Sequence, residues 1–190
     1  MNDFPPSANK VFKGVLFDVY QWEQELYDGS FKLFEKVKVP DGVTVFARTP
    51  DKKFILLHEE QPYVGSFTGL PSGHVEHEEG PLCTAKRELL EELGMQAKEW
   101  ELLFVKTEKG KLSTSTYVYL AKDCRKVQEA QLEPGEKISA EELSFEELLE
   151  ESQKETFRAH EMKYFLFRLL HNKEELKTWK DKLCKGEENE

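Results

Sequence analysis

Residues 73–95 read GHVEHEEGPLCTAKRELLEELGM. Pro81 suits the first position of a helix, where its missing N–H is not needed, and Gly94 suits the left-handed residue just past the end. Leu82, Ala85, Leu89 and Leu93 recur at spacings of three and four, which predicts a buried stripe on a helix over 81–93. Glu88, Glu91 and Glu92 fall off that stripe. Glu92 is four residues and Glu91 three residues beyond Glu88, so the three carboxylates share one side of two turns. Like charges so placed repel by roughly a few tenths of a kcal/mol per pair. They also sit near the helix C-terminus, where the dipole disfavours anions. A solvated charged face can carry this. A hard divalent cation explains it better, because carboxylate oxygens suit Mg²⁺ or Mn²⁺, and Mg²⁺ also takes phosphate oxygens. The glycines before the helix let backbone approach such an ion or a phosphate closely.

The whole chain has 190 residues, which favours one domain with a small appendage. Its 38% hydrophobic content is enough for a core and excludes a fully disordered chain. A net charge of −10 argues against a nucleic-acid-backbone binder, though a metal can still bring phosphates to an acidic protein. There is no run of 18 apolar residues, so no membrane span is expected, and MNDFPPSANK lacks the apolar centre of a signal peptide. Cys83, Cys124 and Cys184 are odd in number and show no zinc spacing, which suits a reducing, cytoplasmic setting.

Residues 1–10 are expected to be disordered. VLFDVYQWEQELY and SFKLFEKVKV flank Asp28-Gly29, a strong hairpin signal, so residues 11–39 form a small antiparallel piece. It is too small to stand alone and must dock on something. Pro40-Asp41-Gly42 marks a boundary. GVTVFAR and KFILLHEE predict a second hairpin about Thr49-Pro50-Asp51-Lys52. A loop over 61–80 precedes the helix. WELLFVKTE and STSTYVYLA read as strands around Lys109-Gly110-Lys111, and 122–137 as a charged loop. Ile138–Leu143 reads as a strand. Ser144 to Glu147 form a capping box, a last helix spans about 156–171, and a charged tail over 173–190 frays. The class is α+β.

The helix and its preceding loop resemble a known family. The Nudix hydrolase signature, G-x5-E-x7-R-E-U-x-E-E-x-G-U with U aliphatic, is met by Gly73, Glu79, Arg87, Glu88, Leu89, Glu91, Glu92, Gly94 and Met95. The resemblance implies an α/β/α sandwich around a mixed sheet, here with the N-terminal antiparallel β appendage, and a catalytic domain over 40–172. It implies Mg²⁺ (Mn²⁺ possible) held by Glu88, Glu91, Glu92 and the Ser72 carbonyl. Gly73, Glu79 and Arg87 would brace the loop. The catalytic base is left among Glu88, Glu133 and Glu136, the last two from LEPGEK.

The wider chain resembles the ADP-ribose or ADP-sugar pyrophosphatase branch. The run Val64-Gly65 then Leu70-Pro71-Ser72-Gly73 is similar to that branch's VG…ELPAG, and Glu60-Gln61 to its EQ motif. This implies hydrolysis of a nucleoside diphosphate sugar to a nucleoside monophosphate and a sugar phosphate. It also implies a homodimer with exchanged N-terminal pieces. Pro62-Tyr63 replace the arginine that usually follows EQ, and Thr68-Gly69 replace a Trp-Glu. A nucleoside triphosphate or dinucleoside polyphosphate therefore stays open as substrate, as does a non-catalytic nucleotide-sugar sensor. Phe17, Tyr20, Trp22 and Phe67 are candidates to stack on a nucleobase, or else core aromatics. His74 and His77 lack a cysteine partner for a zinc site. Cys83 reads as a packed thiol.

Overall fold

In the computed structural model, residues 4–108 and 110–184 are described. The chain opens with β1 (Asn9–Lys13), β2 (Asp18–Glu25) and β3 (Phe31–Lys38), paired antiparallel in that order. The Asp28-Gly29 turn is closed by the Asp28 carboxylate, which accepts from the Ser30 N–H at 3.0 Å, and Gly29 takes φ 82°. Asn9 and Lys10 belong to β1, so the disorder expected over residues 1–10 is not found at its end, and residues 1–3 lie outside the described ones. The reason is local: β2 offers a free edge, and residues 9–13 pair with it. Val11, Phe12, Phe31 and Leu33 of this sheet stay exposed.

The rest follows as β4 (Gly42–Ala47), β5 (Phe54–Gln61), β6 (Gly65–Gly69), β7 (Ser72–His74) and α1 (Pro81–Leu93). Next come β8 (Met95–Gln96), β9 (Glu99–Thr107), β10 (Leu112–Ser113), β11 (Ser115–Lys122), β12 (Arg125–Lys126) and β13 (Lys137–Leu143). The chain ends with α2 (Phe145–Glu151), α3 (His160–Leu170) and α4 (Lys173–Cys184). One central sheet is ordered β7-β4-β11-β9 and is mixed, since β4 and β11 run parallel. A second, ordered β13-β5-β6, is antiparallel. β10 pairs with β3, which docks the N-terminal sheet on the body; Lys109, in the expected turn before it, lies outside the described residues.

Alternation along the strands makes two cores. Val43, Val45 and Ala47 of β4, Ile55 and Leu57 of β5, and Tyr119 and Ala121 of β11 pack with Ala85, Leu89 and Leu93 of α1. The residues between them, Phe46, Phe54, Leu56, Val118 and Leu120, pack with α2, α3 and α4. Strands buried on both faces read as continuous apolar runs because each face meets a helix layer. The fold is α+β, an α/β/α sandwich around mixed strands with an antiparallel N-terminal appendage.

Several expectations change. β4 and β5 do not form a hairpin: the turn is there, with the Thr49 N–H donating to the Lys53 carbonyl at 2.8 Å, but beyond the Arg48–Phe54 bridge the strands enter different sheets. Leu82 and Cys83 are exposed, because the first turn of α1 buries Thr84 and Ala85 instead. The helix expected from 156 begins at His160. The charged tail holds α4, whose Leu176, Trp179 and Leu183 recur at three and four. Trp179 sits edge-on to Phe165 with ring centres 4.9 Å apart, Leu183 is fully buried, and the buried Arg48 donates from Nη1 to the Leu183 carbonyl at 2.7 Å. Residues 185–190 lie outside the described ones.

Candidate active site

α1 places the acidic residues, and two chain segments close over them. At its C-terminal end Gly94 takes φ 65° and its N–H reaches back to the Leu90 carbonyl at 2.8 Å, which stops the helix. The Gly94 carbonyl then accepts from the Val127 N–H at 2.8 Å, and the Glu91 carbonyl from the Gln131 N–H at 2.7 Å. These bonds hold the loop after β12 against α1 and carry Glu133 and Glu136 to it. On the other side β7 brings Ser72 and Gly73.

Glu92 is 9% exposed, and its carboxylate accepts from the Ser72 N–H at 3.2 Å. Among the described residues it makes no ion pair. Burial, then the charges of Glu59 and Glu88, push its carboxyl well above the ordinary range. Glu88 lies against Gly73: a Cβ there would fall 1.8 Å from Glu88 Oε1, so only glycine leaves room for it. Burial lifts the Glu88 carboxyl to about 7 despite the nearby Arg87. Glu91, Glu133 and Glu136 line the same cavity, of about 270 Å³. The Glu136 carboxylate accepts from the Glu133 N–H at 3.1 Å.

Arg87 is the hub of the loop before α1. Its Nη2 lies 3.2 Å from Glu79 and donates to the His74 carbonyl at 3.2 Å. Its Nη1 lies 2.8 Å from Glu88 and 3.0 Å from Glu91. The bond to Arg87 holds the Glu79 carboxyl below its usual value, and Glu79 also accepts from the Thr84 hydroxyl at 2.8 Å. A guanidinium thus neutralises Glu88 and Glu91 in this arrangement. Among the described residues no three acidic, histidine or cysteine side chains close around one point. The donor set nonetheless fits a hard divalent ion: carboxylates and a backbone carbonyl are oxygen ligands, and Glu92 is a buried carboxyl with no cationic partner among the described residues.

A second cavity of about 510 Å³ shares Ser72, Gly73, Glu92 and Glu136 with the first and adds Glu59, Phe67 and Arg158. A third, of about 460 Å³, meets it at Glu59 and Phe67. Glu59 and Arg158 escaped the sequence reading. Glu59 had a signal, because Ile55, Leu57 and Glu59 share one parity of β5 and so face α1. Burial first, then the Glu136 charge, raises the Glu59 carboxyl to about 7. Arg158 had none.

The aromatic candidates divide. Phe67 lines both outer cavities. Trp22 lines a separate groove with Phe34 and Lys111, Tyr20 stacks on Phe4 at 4.4 Å, and Phe17 is exposed in the bend after β1. None of these three lines the acidic cavity. The His77 ring is in solvent, and His74 contributes its carbonyl to Arg87.

Comparison with known proteins agrees with this geometry. A family model described as the NUDIX domain matches residues 38–178. An ADP-ribose pyrophosphatase of Bacillus subtilis (strain 168) is 30% identical over 146 residues, covering 75% of this chain and 79% of that protein. A methanol dehydrogenase activator of Bacillus methanolicus is also 30% identical over 146 residues, with the same coverage. A crystal structure of an ADP compounds hydrolase superposes with a TM-score of 0.70 at 20% identity, covering 86% of this chain and 90% of that one. With the match extending from the end of β3 into α4, and not confined to the acidic helix, the chain belongs to the Nudix family of hydrolases.

Proposed function

We propose that the chain hydrolyses the diphosphate bond of a nucleoside diphosphate sugar of the ADP-ribose kind, with Mg²⁺ or Mn²⁺ as cofactor, releasing a nucleoside monophosphate and a sugar phosphate. The observation that carries this is Glu92, a carboxyl buried beside Ser72 at the meeting of two cavities that Glu59, Glu88 and Glu136 also line. The ionised form of such a group is costly without a counter-charge, and a divalent cation held there would supply one. Glu88, Glu91, Glu92 and the Ser72 carbonyl would hold the ion. When bound, it polarises phosphate oxygens as a Lewis acid.

The protein's own residues do the rest. Gly73 leaves the space Glu88 needs, and Glu79 keeps Arg87 on the loop when Glu88 and Glu91 turn away from it. Glu88, Glu133 or Glu136 receives the proton of the attacking water, since all three line the reacting cavity. Phe67, which lines both outer cavities, would face the nucleoside or sugar end of the substrate. Phe17, Tyr20 and Trp22 are left out of the site within one chain. The joined cavities suit a diphosphate with a bulky group at each end, which favours a nucleotide sugar over a nucleoside triphosphate. The 30% identical ADP-ribose pyrophosphatase of Bacillus subtilis supports the same substrate class.

The exposed apolar residues of β1 and β3 support a homodimer through the N-terminal sheet. Three unbridged cysteines support a cytoplasmic setting. Rates on ADP-ribose, dATP and diadenosine polyphosphates with Mg²⁺ test the reading. The expected result is fastest turnover of ADP-ribose or a related sugar, releasing AMP, and none in Glu92→Gln. No turnover of any nucleotide sugar, or full activity of Glu92→Gln, overturns it.

A further inference from the structure

Arg158 is fixed in place by its neighbours. Phe157 is fully buried in the core under α2–α4. On either side of it the backbone is bonded to β6: the Thr68 N–H donates to the Thr156 carbonyl at 2.9 Å, and the Arg158 N–H to the Thr68 carbonyl at 2.9 Å. Phe157 and Thr68 thus form a parallel bridge, and alternation sends Arg158 to the opposite side from the Phe157 anchor. There its guanidinium lies over the Phe67 ring, 4.6 Å from the centre. Among the described residues Arg158 makes no ion pair and no side-chain hydrogen bond. By contrast Lys137, at the rim of the neighbouring cavity, is taken by Glu60 at 2.9 Å. The cavity that Arg158 lines is otherwise bordered by the carboxylates Glu59, Glu92 and Glu136.

A guanidinium stacked on an aromatic ring, with no side-chain hydrogen bond among the described residues and near enough to Glu59 to favour that carboxyl's charged form, has its donors available for a bidentate oxyanion. Stacking on Phe67 limits its rotamers, so little entropy remains to be lost on binding. The geometry points to Arg158 as the residue that grips the diphosphate within the cavity it lines together with Glu92, with Phe67 as its backing plate. This rests on the hydrolase reading above and adds a positioning residue for the substrate's phosphates. As a positioning residue Arg158 acts chiefly through substrate affinity, which a split of KM from kcat reads out.

The test is Arg158→Gln and Arg158→Lys in the full chain with Mg²⁺, read two ways. Kinetics on the best nucleotide sugar should show KM raised about tenfold to a hundredfold in Arg158→Gln, with kcat within roughly threefold. Calorimetric titration with inorganic pyrophosphate should show a similar loss of affinity, and Arg158→Lys should fall between, since it keeps the charge and loses the fork. Thermal stability should not change, because the guanidinium is exposed. Wild-type KM and pyrophosphate affinity in Arg158→Gln overturn the proposal, as does a wild-type chain that fails to bind pyrophosphate. If Glu92→Gln is inactive while Arg158→Gln behaves as wild type, this inference fails and the hydrolase reading stands; full activity in Glu92→Gln sinks the reading itself.

Discussion

Gly73 and Glu88 occupy one another's space. A single methyl group on Gly73 would meet Glu88 Oε1 at 1.8 Å and its carboxyl carbon at 2.1 Å. Both are the far end of a flexible side chain, so the backbone need not move, but the carboxylate must. Gly73→Ala should therefore cost activity more than stability. We expect kcat/KM to fall at least tenfold, with a weaker dependence on Mg²⁺, and Tm to shift by only a few degrees. Steady-state kinetics over a Mg²⁺ series checks this; unchanged kinetics would show that Glu88 has another productive position.

Glu92→Gln keeps an acceptor for the Ser72 N–H and removes a buried ionisable carboxyl. The same change, expected to abolish hydrolysis, should raise the Tm of the protein in EDTA, because the amide escapes the cost of ionising a buried carboxyl among other acids. Differential scanning calorimetry without metal decides the matter, and a lowered Tm would contradict the electrostatic account.

The pH dependence follows from the same group of acids. Glu59 and Glu88 have folded-state values raised from 4.5 to about 7, chiefly by burial, and Glu92 is raised as well. Between these values the unfolded chain ionises while the folded one holds its protons. Stability is thus retained below about 4.5 and lost as pH climbs through about 7. Glu79, held low by Arg87, works with the opposite sign, but below 4.5. In EDTA the protein should be less stable at about pH 8 than at about pH 5.5, and Mg²⁺ should rescue it most at the higher pH. A higher Tm at pH 8 in EDTA would refute this.

Leu183 tests the role of α4. It is fully buried against the α3 side of the core, and its carbonyl receives the buried Arg48 guanidinium. Leu183→Ala should destabilise by about 2–5 kcal/mol, seen in urea unfolding, with kcat nearly unchanged. Ending the chain at Asn172 should do more, since it leaves Arg48 without that acceptor and uncovers Phe104 and Phe165. An unfolding midpoint equal to wild type would mean α4 is not part of the cooperative unit.

The acidic helix was legible because everything that makes it is local: Pro81, Gly94 and a spacing of three and four. The pairing of β4 was not. Thr49 to Lys53 announce a turn, and a turn does not say whether the strands it joins stay together. Apolar residues on both faces of 42–47 and 54–57 were the missed hint, since a simple hairpin needs only one. Glu59 hid in the run HEEQ, which looks like a solvent edge until the parity of Ile55 and Leu57 is extended to it. Arg158 could not be found from spacing, because its place depends on backbone bonds to Thr68, ninety positions earlier in the chain. Cys83 and Leu82 were misplaced by assuming that the stripe reaches the first turn, where Thr84 is drawn inward by Glu79.

The parallel pairing of β4 with β11 sets Gly42 beside Thr116 and Ala47 beside Ala121, across 74 residues of intervening chain. That closure encloses the whole acidic helix. A ribosome must therefore deliver the polypeptide past β11 before β4 gains this neighbour, and loop entropy makes the step slow. Until then α1 lacks the β4–β11 sheet it packs against, so the candidate site is completed only after β11 has been made.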